Sequence, residues 1–400
     1  MCTTTPYQQL IELTSSGKAE IVHVIGPPRS NGTALHLALA QRATGQINEP
    51  FYYPDFKGRK WSYVASPTDQ VRTFDDGCDY ILQRYKKEAV SKTSGPVTLV
   101  VHDLSPDLTE KEFENLLKFN SHLVFAIRDP RKQALSMLTR YVNDKISELG
   151  GNKLKTADVV QLMADGNKFH IYVNENPDKV SLPMIYNLLG KKEEDSKRSH
   201  EVDTKISIDD CEIVREKILK IVSEEFSISW DNLYRFFQLT QTNFTKHPHS
   251  IFDAASLFNN PEKNLMELTK RIKIIKYHPD MVHNWTKFTG VNFDCVITRK
   301  WGSLAQTNAW NGPVRNSDKI VLQKGNLSEP VPLESFPPEF REVIKRQELP
   351  YERMILESTI TTSRRCTQPK SYRQFLLILP IVVAIAVVVF QGLINVSRTP

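Results

Sequence analysis

Cysteine is scarce in this chain: Cys2, Cys78, Cys211, Cys295 and Cys366 are the five in 400 residues. An odd set of widely spaced thiols excludes a disulfide framework and a paired-cysteine zinc site, and it suits a reducing compartment. Cys366 reads as a free thiol in a linker, with palmitoylation beside the apolar C-terminal run as the alternative. Met1 to Gly17 is polar and lacks the apolar run of a secretory signal. No basic stripe interleaved with aromatics appears, and no zinc-finger spacing, so nucleic acid is not an expected partner. No internal repeat is present. Two nucleotide signatures are also missing. No Gly-Lys-Ser/Thr ends a Walker A loop, and no Gly-x-Gly-x-x-Gly marks a dinucleotide fold.

What is present is an ordinary globular composition, 40% hydrophobic and 24% charged. The net charge of +6 mildly favours anionic ligands. Ile21 to Ile25 (IVHVI) is a short apolar run ending at Gly26, and it predicts a buried strand. Ala34 to Arg42, rich in alanine and leucine, predicts a helix. Pro96 to Leu104 and Leu123 to Ile127 predict two more buried strands, the last followed by a helix to about Tyr141. Continuous apolar strands alternating with helices indicate an α/β fold, a parallel sheet covered on both faces. From about Asn143 to Lys246 the pattern is helical and polar, an insertion with an exposed charged loop at Gly190 to Thr204. Ser250 to Phe258 returns to a strand-like run. Pro261 to Ile275 is an amphipathic helix, and Pro337 to Ser358 is a last helical segment broken at Pro350.

Gly26-Pro27-Pro28-Arg29-Ser30-Asn31-Gly32-Thr33 joins the first strand to the first helix of this unit. Such a loop presents backbone N–H groups at a positive helix end, where a phosphate or sulfate binds. Arg29 adds a permanent charge; Ser30, Asn31 and Thr33 add short donors. A second motif, Arg128-Asp129-Pro130-Arg131, follows the Leu123 strand, with Ser136 eight residues after Arg128. Ligands of α/β sheets bind at the carboxyl ends of strands, so both motifs are expected to face one crevice. Two anion sites there suit a nucleotide with phosphates at both ends.

At these residues the sequence resembles the P-loop sulfotransferases. Gly26 to Leu35 (GPPRSNGTAL) resembles their 5′-phosphosulfate loop, with Asn31-Gly32 in place of the usual small or hydroxyl residues. Arg128 to Ser136 (RDPRKQALS) resembles their 3′-phosphate motif. Ile47 to Phe51 (INEPF) is similar to a segment of bacterial and carbohydrate-type members. Phe288 to Phe293, Trp301, Trp310 and Leu349 to Glu352 resemble their C-terminal region. The resemblance implies a three-layer P-loop-type sheet and a donor, 3′-phosphoadenosine 5′-phosphosulfate, whose sulfuryl group passes to an acceptor hydroxyl or amine. It implies that Arg29, Ser30, Asn31, Gly32 and Thr33 hold the 5′-phosphosulfate, and that Arg128 and Ser136 hold the 3′-phosphate. Arg29 also takes a catalytic role, charge stabilisation, and no metal is required. For the base, Glu49 stands ahead of His102, because its neighbours match the carbohydrate-type members better. The acceptor is open among carbohydrate, lipid, small alcohol and protein. Two other readings stay alongside: a tethered nucleotide-binding scaffold without catalysis, and a P-loop phosphoryl transferase.

From Phe375 to Ile394 nearly every residue is apolar. A helix of this length spans about 30 Å, the hydrocarbon thickness of a bilayer. Arg364, Arg365, Lys370 and Arg373 precede it and only Arg398 follows, which places the large domain on the cytoplasmic side. The expected organisation is a catalytic domain over 1–358 (helical insertion about 143–246), a linker over 359–374, a transmembrane helix over 375–394 and a tail over 395–400.

Overall fold

The computed structural model describes residues 4–51, 73–146, 154–176, 180–190, 205–242, 247–285, 320 and 331–358. All lie in one compact unit, Met1–Thr362. The charged stretch 191–204, the segment holding Phe288, Trp301 and Trp310, the linker, the apolar run 375–394 and the tail lie outside the described residues. No described helix is long and apolar enough to cross a membrane.

In chain order the elements are α1 (Pro6–Ser15), β1 (Ala19–Gly26), α2 (Gly32–Ala40), β2 (Gly45–Asn48), α3 (Phe74–Ser91), β3 (Val97–Leu104), α4 (Glu110–Leu116) and β4 (Ser121–Ile127). There follow α5 (Pro130–Ile146), α6 (Thr156–Ala164), α7 (Gly166–Glu175), α8 (Leu182–Leu189) and α9 (Ile208–Thr242). The described chain closes with β5 (His249–Asp253), α10 (Ala254–Asn259), α11 (Pro261–Ile272), α12 (Asp280–His283) and α13 (Pro338–Glu357).

The five strands form one sheet in the order β2-β3-β1-β4-β5, and every pairing is parallel. The fold is therefore α/β, with helices on both faces. Side chains alternate between the faces with period two. Ile21, Ile25, Leu99, Val101, Leu123, Phe125 and Ile251 point into a core shared with α1, α3, α4, α5, α9 and α13. Val22, Val24, Val100, Val124, Ala126 and Phe252 point into a second core, shared with α2, α11 and α12. Because both faces are dry, the strands read as unbroken apolar runs. Travel along the sheet reverses after β2, and the connecting helices change face at that point, from α2 on one side to α3 and α4 on the other. A single crossover hand requires this switch.

Two expectations need correction. The strand-like run at Ser250–Phe258 is extended only to Asp253 and then turns helical. The last helical segment is not broken at Pro350: α13 is continuous from Pro338 to Glu357. Proline removes one backbone donor, but contacts on either side keep the helix continuous through it. Arg131 Nε meets Glu348 Oε1 at 2.6 Å, Gln347 Nε2 donates to Asp231 Oδ1 at 3.1 Å, and Tyr351 packs edge-on against Trp230. The stretch after Asn143 is helical where it is described, and its longest helix is amphipathic. In α9, Val214, Ile218, Val222, Phe226, Trp230, Leu233 and Phe237 recur at helical spacing and enter the main core. A short strand, β2, was also missed; its Gln46 and Asn48 are polar yet buried.

Trp230 is fully buried between α9 and α13. Trp230→Ala is expected to cost about 3–5 kcal/mol of stability, measured by denaturant unfolding, because the cavity left behind cannot collapse. A helical segment peripheral to the core would lose far less.

Candidate anion site at the carboxyl edge of the sheet

The loops after β1 and β4 leave the sheet toward opposite sides and opposite faces, which opens a crevice between the ends of these adjacent strands. The Gly26–Thr33 loop and the Arg128–Ser136 motif flank it.

The loop begins at a position that only glycine fills. A Cβ on Gly26 would run into the Ala126 carbonyl and the Ser30 hydroxyl. Ser30 N–H closes a turn on Pro27 O at 3.2 Å. Arg29 and Asn31 then adopt left-handed conformations (φ 66° and 63°) on either side of Ser30. Each costs about 1–2 kcal/mol for a residue with a side chain. Alternation of this kind turns successive amides into one concavity, an anion nest. Asn31 occupies the N-cap of α2 but makes no side-chain capping bond, so the helix presents its leading amides without a side-chain acceptor. Ser30 is 2% exposed, and its hydroxyl has no hydrogen-bond partner among the described residues. Thr33 and Asn31 are half-buried beside it.

The second motif divides its labour. Asp129 Oδ1 accepts from the amides of Arg131 and Lys132 (2.9 and 3.2 Å) and so starts α5, with Pro130 at its first turn. Arg131 is committed to Glu348. Arg128, half-buried, donates to the Arg29 carbonyl at 3.1 Å, and Arg29 Nε donates to Ser136 Oγ at 3.1 Å. Burial lowers the Arg128 pKa, while Asp129 and Asp253 act the other way. Residues expected on two separate anions thus form one contact chain across the crevice. Gln133 was not anticipated. It lies three residues before Ser136, on the same face of α5, and its Nε2 donates to Pro28 O at 2.8 Å. Its Oε1 is buried without a hydrogen-bond partner among the described residues. The face-sharing spacing was the available signal.

On the other flank, His102 of β3 is paired in register with Asn48 of β2. His102 Nδ1–H donates to Asn48 Oδ1 at 2.7 Å, which leaves Nε2 as the lone-pair nitrogen. That nitrogen is buried without a hydrogen-bond partner among the described residues and lies against Gly32, where a Cβ would collide with it. Burial, with His36 and His23 nearby, holds the imidazole pKa well below its usual value, so the ring is neutral. Glu49 follows Asn48 in a third left-handed conformation (φ 57°), and its N–H donates to His102 O at 2.6 Å. Three of the four positive-φ non-glycine residues described are therefore Arg29, Asn31 and Glu49, and strain is concentrated here. Glu49 is 3% exposed, Oε2 has no hydrogen-bond partner among the described residues, and burial raises its pKa from 4.5 to about 7. A hydrogen bond with the Asn48 side chain acts in the opposite direction, and the nearby Asp103 adds to the rise.

Among the described residues no cluster of His, Cys, Asp and Glu has metal-holding geometry. A cavity of about 410 Å³ lined by Lys18, Tyr85 and Lys92 opens at the amino-terminal edge, away from both motifs. No protein-family model and no curated protein sequence matches the chain.

Gly32→Ala is expected to cost about 1–3 kcal/mol by overpacking. Most of that loss should vanish in a His102→Ala background, in a double-mutant cycle of unfolding free energies. Glu49 binds a proton more tightly folded than unfolded, so its contribution to stability is full below pH 4.5 and is lost as pH rises through about 7. Glu49→Gln should therefore flatten the decline of wild-type stability across that interval, measured as thermal midpoints at several pH values.

Proposed function

We propose that this chain is a sulfotransferase of the P-loop type, moving a sulfuryl group from 3′-phosphoadenosine 5′-phosphosulfate to an acceptor hydroxyl or amine. One observation carries the reading. Arg29, Arg128 and Ser136, from two motifs far apart in sequence, touch across the crevice between β1 and β4. A nucleotide with anionic groups at both ends matches two cations and a nest of amides brought together at a strand switch point.

The roles follow from the donors. The leading amides of α2, with Ser30 Oγ, Asn31 and Thr33, suit the 5′-phosphosulfate; Gly32 lets the backbone approach it. Arg128 and Ser136 suit the 3′-phosphate. The donor supplies a sulfuryl group on a good leaving phosphate. Arg29 and the loop amides offset the charge that grows on the bridging oxygen as the old S–O bond breaks. The acceptor oxygen or nitrogen forms the new bond and gives up its proton. Glu49 suits that proton better than His102. Its carboxyl is tuned close to neutral pH, while burial penalises an imidazolium at His102. The neutral Nε2 of His102 serves instead as an acceptor beside the loop. The scheme calls for no metal, since arginines and amides supply the positive charge.

In the same reading, the helical segment about 143–246 is an elaboration of the domain, and Phe375–Ile394 anchors it to a membrane from the cytoplasmic side. Support for the anchor is the apolar run and its basic flank.

Calorimetric titration of the intact chain in detergent micelles with adenosine 3′,5′-bisphosphate tests the proposal. Binding is expected without Mg²⁺, weakened at least about tenfold in Arg29→Ala and in Arg128→Ala, the loss of one charge-assisted contact. Binding of ATP with Mg²⁺ in its place would point to phosphoryl transfer. Bisphosphate binding without sulfuryl transfer to any acceptor would point to a scaffold.

A further inference from the structure

The chain leaves β2 through Asn48, Glu49, Pro50 and Phe51, and two consecutive residues of β3 grip this exit from opposite faces of the sheet. On the α2 face, His102 holds Asn48 by its side chain and Glu49 by its carbonyl. On the α3 face, Asp103, fully buried, accepts the Phe51 N–H on Oδ1 at 3.2 Å. Its Oδ2 accepts from His23 Nε2–H at 2.7 Å. His23 belongs to β1, is 2% exposed, and is kept neutral by burial, with its pKa lowered to about 3. Its ring stacks on Phe51 (6.3 Å between centroids), and Phe51 stacks in turn on Phe74 at 4.9 Å. Phe51 also lies against the bare backbone of α3, where a Cβ on Gly77 would strike its ring.

We propose that Asp103 is the positioning residue for Glu49: by holding Phe51 to β3 and β1, it keeps the carboxyl of Glu49 in its buried, left-handed seat at the carboxyl edge. Burying a carboxylate is opposed by desolvation even where, as here, it accepts from Phe51 and from His23. A neutral side chain could accept the same bond. The carboxylate adds a negative charge beside a second carboxyl group, which opposes ionisation of Glu49. Burial is the larger cause of the rise, and the hydrogen bond with Asn48 opposes it. His23, His36 and His102 are held neutral by burial, and the Cys78 thiol on α3 is held protonated by burial, with Asp75 and Asp103 contributing. Asp103 thus bears on where Glu49 sits and, beside burial, on when it ionises. The catalytic meaning of this rests on Glu49 serving as the base proposed above.

The test is a ¹³C NMR titration of the intact chain labelled at glutamate side-chain carboxyls, with Glu49 assigned by its loss in Glu49→Gln. Wild type should show one glutamate titrating near pH 7. In Asp103→Asn, which keeps an acceptor for Phe51, that midpoint should shift down while the resonance stays single and sharp. In Asp103→Ala, which removes the acceptor, it should fall toward the range of exposed glutamates, about 4.3. The acid limb of kcat/KM for sulfuryl transfer should shift in parallel in Asp103→Asn. An unmoved Glu49 midpoint in a folded Asp103→Asn protein overturns the assignment. A shifted midpoint supports it even where no sulfuryl transfer is found; that absence counts against the proposed activity alone.

Discussion

A guanidinium taken partly out of water is stable only where its donors find acceptors that offset the lost hydration. Arg128 donates to the carbonyl of Arg29 itself, so the two residues are locked to one another before any ligand arrives. This arrangement depends on the sheet beneath. Two adjacent parallel strands, β1 and β4, must end at the same height, and their loops must leave in opposite directions. The register pairing Ile25 with Phe125 sets that height, and the dry cores on both faces hold it. Nothing at the crevice would survive a slip of one residue, because each side chain would then change face.

The left-handed residues extend the same logic to the backbone. Arg29, Asn31 and Glu49 carry side chains in conformations that glycine adopts more readily, all at the carboxyl edge. Such strain persists only where the surroundings over-determine it. Here they do: Gln133 holds Pro28, Ser136 holds Arg29, and His102 and Asp103 hold the residues around Glu49.

Much of this architecture was legible in the residues. IVHVI and LVFAI announce strands buried on both faces, and the loop after each carries an arginine that the fold brings to the crevice. What escaped notice did so for physical reasons. β2 is short and puts Gln46 and Asn48 on its inner face, so its hydrophobic pattern is interrupted where the polar network needs it. Pro350 breaks a helix by local preference, but the packing of Gln347, Glu348 and Tyr351 overrides that preference. The apolar stripe of α9 is diluted by charged residues on the outer face of the same helix. That Arg29 reaches Ser136 was not legible at all, since it depends on how two loops distant in sequence meet in space.

Neighbours in the sheet are not neighbours in synthesis. β4 and β5 pair along their length, yet α5 through α9 lie between them in the chain, and α13 packs on α5 and α9 from further downstream still. A chain emerging from the ribosome therefore carries the apolar stripe of α9 and an open edge on β4 until late partners arrive. Long-range closure of this kind slows folding and prolongs exposure of sticky surface. The completed edge of the sheet is thus bought with a vulnerable interval during biogenesis, and a cell making this protein has reason to shield the nascent chain until α13 has been released.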